Sequence, residues 1–195
     1  MGLADLNKGG RRKEKQPMNG KRAGQKTQKR AAGAKDGGRP KKAAGAFRTL
    51  KVGNLSFPLD RSYFTRGGAH IWLWPQKDGT VRIGMDSFLA RNAGFLNYIM
   101  LDKKSSVRRG ASLGSFESAK FVSKLFSPVG GKIVGVNEQV IRDPRRINRD
   151  PYGSWIVALR PGDIEKDLGS PEILGDVNAI KKWIKEELAR ADEEI

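Results

Sequence analysis

From Leu55 onward, apolar positions fall in short runs separated by turn residues, with successive runs about ten residues apart. Residues 70–74 (HIWLW) and 81–84 (VRIG) predict two strands, because Asp78-Gly79 between them is a strong hairpin turn. Residues 86–92 (DSFLARN) fit one or two helical turns with Asp86 as N-cap, ending near Gly94. Residues 95–101 (FLNYIML) predict a further strand, followed by a turn over 102–106. The chain then passes Gly110 and Gly114 into a strand containing Leu113 and Phe116. Glu117-Ser118-Ala119-Lys120 falls where that strand reverses into 121–126. Pro128 and Gly130-Gly131 break the ladder, and 132–136 resumes it. The FPLDRSYF stretch at 57–64 marks the chain entering its domain. Short strands at this spacing predict a mainly β sandwich or barrel with short helices.

The pattern changes at the C-terminal end. Over 176–193, Val177, Ile180, Trp183, Ile184, Leu188 and Ala191 recur at spacings of three and four, one apolar stripe on an otherwise charged helix. Asp176 can cap its start, and the stripe is expected to pack on the sandwich.

Charge divides the chain again. Of 195 residues carrying a net +17, residues 1–48 hold fifteen Lys and Arg against Asp5, Glu14 and Asp36. This stretch is built from Gly, Ala, Lys, Arg and Gln, with Phe47 its only aromatic. It has too little apolar surface to offset the entropy of ordering, so it predicts a disordered basic tail, 1–48, ahead of a domain over 49–195. Such a tail is a solvated solubility aid or a non-specific grip on a polyanion. It lacks the amphipathic stripe of a transit peptide; were it one, the protein would belong in the mitochondrial matrix, and otherwise the expectation is cytoplasmic. No run of about 18 apolar residues is present, so no membrane span is expected. The start lacks the apolar core of a secretory signal, and Leu6 stands where a myristoylation motif wants Ser or Thr.

The chemistry available to the side chains is narrow. There is no cysteine and one histidine, His70. A zinc site of several His and Cys is excluded, as is a Cys–His nucleophilic pair, and a Ser–His–Asp triad would have to use His70. Redox or group-transfer chemistry would therefore need a cofactor. Lys120 is the residue the pattern singles out, since it sits at a turn between two apolar strands. Most such lysines are simply exposed. A long group attached there would have a fixed anchor and a mobile tip, the requirement for a swinging arm.

The residues around it resemble a known family. Glu117-Ser118-Ala119-Lys120 followed by Ser127-Pro128-Val129-Gly130-Gly131-Lys132-Ile133-Val134-Gly135-Val136-Asn137 is similar to the lipoyl-carrying segment of the glycine cleavage system H protein. Downstream, Pro144, Ile147-Asn148, Asp150-Pro151-Tyr152-Gly153 and Trp155 match that family's P-x-L-I-N-x-D-P-Y-G…W stretch in the same order. Upstream, His70-Ile71-Trp72 stands where the family has H-x-W, and Gly84-Met85-Asp86 resembles its G-I-T-D run. The resemblance spans roughly residues 57–160. It implies a lipoyl-domain-like barrel-sandwich hybrid, with lipoate joined to Lys120. It also implies that Glu117 and Gly131 are read by the lipoate-attaching enzyme and that His70 lies near the cleft where the loaded arm rests. Tyr152 and Trp155 are expected in packing, and Asn137 in securing a turn.

Biotin carriers flank their lysine with methionine, whereas Ala119 and Phe121 stand here. The implied role is a carrier, not an enzyme. A pyridoxal-phosphate glycine decarboxylase, a folate-dependent aminomethyltransferase and the flavin enzyme dihydrolipoamide dehydrogenase would supply the chemistry. Two alternatives remain open at this point. One is a lipoate carrier of a heterodisulfide-reductase-like sulfur-oxidation pathway, suggested by Phe121-Val122 after the lysine. The other is an unmodified binding protein whose tail grips nucleic acid, weakly and without sequence preference, since the tail lacks interleaved aromatics. Departures from the family are the 102–106 turn, the short spacing between Gly153 and Trp155, Phe121 itself and the long tail.

Overall fold

A computed structural model describes residues 48–193; the tail expected over 1–48 lies, but for its last residue, outside them. The first elements are short strands: β1 (Thr49–Val52), β2 (Leu55–Pro58) and β3 (Ser62–Phe64). β4 (Ile71–Pro75), β5 (Val81–Met85) and helix α1 (Ser87–Asn92) follow. Then come β6 (Leu96–Leu101), β7 (Ser106–Val107), β8 (Ser112–Ser118), β9 (Val122–Phe126) and β10 (Gly131–Val136). The remainder is α2 (Glu138–Arg142), α3 (Arg145–Arg149), β11 (Val157–Pro161), α4 (Ile164–Leu168), β12 (Ile173–Leu174) and α5 (Val177–Glu193).

β1 and β2 form a hairpin of their own. A seven-stranded sheet runs β12-β3-β4-β5-β11-β10-β7, and a three-stranded sheet runs β6-β8-β9; every pairing is antiparallel. The two sheets share one core, in which Leu73, Ile83 and Leu159 meet Leu113, Phe116 and Leu125. Alternation produces this directly: in β8, Leu113 and Phe116 are buried while Glu117 is exposed. A bulge at Ser112/Gly114 accounts for the odd spacing of the two buried residues.

A second core lies under α5. Ile180, Trp183 and Ile184 from the predicted stripe cover Leu55, Phe57, Tyr63 and Trp72. Asp176 caps this helix, accepting from the Asn178 and Ala179 backbone N–H groups at 2.9 Å each. The Asp78-Gly79 turn forms as expected, with Gly79 at φ 77 and Asp78 accepting from Thr80. Asp86 caps α1 through Leu89 N–H at 2.9 Å.

Asn137 secures the turn after β10 as expected, but through its backbone carbonyl, which accepts from Val140 and Ile141, and not through its side chain. Hairpin β1–β2, strands β3, β7, β11 and β12 and helices α2, α3 and α4 are elements the pattern did not predict.

Candidate functional site

Lys120 is the middle of the three-residue reversal between β8 and β9 and is exposed. Among the described residues its ammonium has no ion-pair partner. Its backbone is held tightly. Ser118, the last residue of β8, is buried, and its hydroxyl donates to the Phe121 carbonyl at 2.9 Å. The same oxygen accepts from Phe121 N–H at 3.1 Å and Lys120 N–H at 3.3 Å. Phe121 then packs edge-on against buried Phe116, ring centroids 6.0 Å apart. The lysine is therefore a flexible side chain on a fixed turn.

The turn also rests on a second support. Ala119 N–H donates to the Phe95 carbonyl at 2.9 Å. The loop carrying Phe95 is fixed by Asn148 on α3. Its amide donates to the Ala90 and Gly94 carbonyls at 2.6 and 2.7 Å, and its oxygen accepts from Leu96 N–H at 3.0 Å. All the strong hydrogen-bonding sites of that amide but one acceptor lone pair are used. Gly94 passes close beneath the lysine with φ 71; a Cβ there would lie 3.3 Å from the Ala119 Cβ. Asn148 and Ser118 stand in the sequence motifs, but nothing in the linear pattern marks them as positioning residues. Both act through contacts to backbone distant from, or hidden in, the linear pattern.

Glu117 is exposed on the outer face of β8, paired across to Tyr98 on one side and Val122 on the other. Its carboxylate has no ion-pair partner among the described residues. Gly131 begins β10, between Pro161 of β11 and Val107 of β7. A Cβ there would run into the Arg160 carbonyl oxygen and come within 2.8 Å of the Pro161 Cα. Close strand packing thus requires glycine at this position.

His70 lies elsewhere, beneath α5. Its ring stacks on Phe88 and Trp183, with centroids 4.3 and 4.7 Å away, and it is 3% exposed. Nδ1 is 2.9 Å from Asp86 Oδ2, and Nε2 is 3.7 Å from Glu187, an ion-pair distance but too long for a hydrogen bond. Burial pulls the imidazole pKa down. The Asp86 and Glu187 carboxylates outweigh that and raise it to about 9, so the ring carries a proton at neutral pH. In return, His70, and secondarily Arg190, hold the Glu187 carboxyl below the usual range despite partial burial. His70 has φ 48, the sole non-glycine at positive φ among the described residues.

Tyr152 and Trp155 pack in the second core, as expected. Trp72 donates to the Met85 and Pro151 carbonyls at 2.8 and 3.1 Å, and Arg61 sits over the Trp72, Trp74 and Tyr152 rings. These contacts fix the Asp150-Pro151-Tyr152-Gly153 stretch. No group of three or more His, Cys, Asp or Glu placed to hold a metal occurs among the described residues, and no described helix is long and apolar enough to cross a membrane.

A rigid β scaffold that fixes the backbone of one lysine while leaving its side chain free is the architecture of a carrier domain. The glycine cleavage H-protein family model matches residues 63–187, and the chain belongs to that family, whose members are carrier components and not themselves catalysts. A probable glycine cleavage system H protein of Pyrococcus abyssi is 36% identical over 107 residues, covering 54% of this chain and 78% of that protein. The glycine cleavage system H protein of Anaeromyxobacter sp. is 36% identical over 135 residues, covering 68% of this chain and 99% of that one. The crystal structure of a glycine cleavage system H protein from Mycobacterium marinum is 34% identical and covers 58% of this chain and 97% of its own, with a TM-score of 0.49.

Proposed function

We propose that the chain carries lipoate on Lys120 and shuttles an aminomethyl group and reducing equivalents between the enzymes of glycine cleavage. The observation that carries this reading is the construction of the Lys120 turn: a fixed backbone, an exposed side chain and no competing ion pair. These features suit an amide-linked group, since acylation removes the charge of Nζ and no ion pair must be broken to do so. When attached, the dithiolane would supply a sulfur able to accept and release a one-carbon amine. This chain's own part is to anchor the arm, through Ser118 and Asn148, so that its tip sweeps a restricted volume near each docked partner.

The partners in this reading are the lipoate-attaching enzyme, the glycine decarboxylase, the aminomethyltransferase and the dihydrolipoamide dehydrogenase. Glu117 stands on the same face as the lysine turn, where an attaching enzyme can read it. Gly131 acts through strand geometry. For His70 to meet a loaded arm, α5 must move, because Trp183 covers the ring. The archaeal and bacterial relatives support a cytoplasmic setting.

The test is intact mass and peptide mapping of protein from its native cells, then glycine–bicarbonate carbon exchange with the decarboxylase of the same cells. A single lipoyl group on Lys120 and robust exchange are expected. Lys120→Arg should abolish both and leave the melting temperature unchanged. Full lipoylation without exchange, using a decarboxylase that works with another carrier, would move the assignment to the sulfur-oxidation carrier.

A further inference from the structure

One cross-strand pair in the seven-stranded sheet works against the fold. Lys132 of β10 lies directly opposite Arg160 of β11, both exposed, while their neighbours Ile133 and Leu159 pack in the core. Paired residues of antiparallel strands share a face, and like charges placed directly opposite are destabilising. Neither cation has an ion-pair partner among the described residues. Asp78, at the β4–β5 turn, feels the charge of Arg160, but the Thr80 hydroxyl and N–H already occupy its Oδ1 at 2.7 and 3.0 Å. Arg82 adds a third cation. It pairs with Ala158, one row along the same face, and its guanidinium lies 5.1 Å from the Trp155 ring centroid.

Beside this row a groove of about 440 Å³ opens between β7, β10 and the end of β11. Val107, Pro161, Gly131 and Gly162 line it together with Lys132 and Arg160, so apolar wall and uncompensated charge adjoin. The loop before β7 is fastened to β10, since Ile133 N–H donates to the Ser105 carbonyl at 2.9 Å. It brings Lys103 to this edge of the sheet, and Arg108 follows β7; both are exposed, whereas Lys104 is paired with Asp102 and Arg109 with Asp167. The 102–106 turn is one of the chain's departures from its family, and the carrier role leaves its charge unexplained. The Lys120 turn is remote: β9, five residues or about 17 Å of strand, separates it from the loop that leads to Gly131.

We propose that Lys132, Arg160, Arg82 and this groove form a binding face for a single-stranded nucleic acid, a function separate from the carrier role. The ligand follows from the arrangement. Neighbouring strands lie about 4.8 Å apart, so the cations stand in a close row, and a line of phosphodiester anions relieves their repulsion. The apolar wall suits a sugar or an unpaired base, which a duplex keeps inside its stack. Trp155 is capped by Arg82, so no base stacks on that side of its ring and the strand is held by phosphate, without sequence preference. Protein interfaces centre on large apolar anchors and are poor in lysine. Of the large apolar side chains exposed among the described residues, only Val134 lies on β5, β7, β10 or β11. The face alone is a weak site. Residues 1–48, with fifteen Lys and Arg against three acids, favour the same polyanion and, joined to the face in one chain, raise its effective concentration there.

Fluorescence anisotropy of labelled oligouridylate and oligothymidylate with the full chain, over a series of salt concentrations, tests the assignment. Lys132→Gln with Arg160→Gln should hold or raise the melting temperature, because it removes a repulsion, and should weaken binding roughly fivefold. The slope of log affinity against log salt should become shallower by about 1.4, the value for two phosphate contacts on a single strand. Lys181→Gln with Lys185→Gln removes the same charge from exposed positions of α5 and should leave that slope unchanged. Loss with both oligomers places the contact on phosphate, and loss with one alone assigns that strand. Wild-type affinity in Lys132→Gln with Arg160→Gln would overturn the face. Equal losses in the two double variants would do the same, since net charge alone would then attract the strand. An equal loss of binding to poly-glutamate would make the face a docking surface for acidic protein and overturn the proposal. An equal loss with a DNA duplex would overturn its restriction to single strands. None of these outcomes depends on whether Lys120 carries lipoate.

Discussion

Ser118 shows how much of the site rests on single atoms. One buried hydroxyl serves three backbone groups of the lysine turn. Ser118→Ala leaves them without that partner, and about 2 kcal/mol of stability should be lost. Denaturant unfolding checks this, and the lipoylation rate should fall because the turn loosens. His70 is the second residue with a measurable signature. Folded, its pKa is raised to about 9; unfolded, it titrates near the ordinary 6.5. The folded chain thus binds the extra proton between those values. The stabilisation, on the order of 3 kcal/mol, is complete below about pH 6.5 and lost as pH rises through about 9. Between pH 6 and pH 9.5 the melting temperature should fall more for the wild type than for His70→Gln. An equal fall would remove His70 as the cause. None of this was visible in the linear pattern: His70 was singled out by being the lone histidine and by resemblance. Its carboxylates, Asp86 and Glu187, stand 16 and 117 positions away in the chain, with no local signal linking them.

Among the elements, those with a strong local period were legible and those without were not. The Asp78-Gly79 hairpin, the strands flanking Lys120 and the stripe of α5 each announced themselves by spacing and turn chemistry. α2, α3 and α4 are five residues each, too short for a period of 3.6 to repeat. β1 reads Thr-Leu-Lys-Val, only two apolar residues next to a basic stretch, too weak a pattern to mark a strand, although Gly53 at φ 55 turns it into a hairpin with β2. β11 is a continuous apolar run with no hairpin turn joining it to a neighbouring strand, since its partners β5 and β10 lie earlier in the chain, so no local turn signal marks it. The β10–β11 pairing carries a sharp test. Gly131→Ala would force the strands apart at the Arg160 carbonyl, with a loss of about 2–3 kcal/mol expected from overpacking. Thermal unfolding measures it, and an unchanged melting temperature would mean the strands part without cost.

For the molecule as a whole, charge and fold are separable. Fifteen of the 38 basic residues precede Thr49, outside the family match. A chain lacking residues 1–48 should keep its melting temperature and lose retention on heparin, a retention that in the full chain should fall steeply with salt. A drop in melting temperature would show instead that the tail contributes to the folded domain. The second core has a further consequence, for the order of events during synthesis. It joins β1, β2 and β3, made first, to Ile180, Trp183 and Ile184, made last. On a ribosome working at roughly 5–20 residues per second, the early strands wait on the order of ten seconds for the helix that covers them. The lysine hairpin emerges in the middle of that interval. Its sheet can close on local contacts between β6, β8 and β9 before the ends of the domain meet. A nascent chain stalled short of α5 would therefore already display the lysine turn while Phe57 and Trp72 were still uncovered.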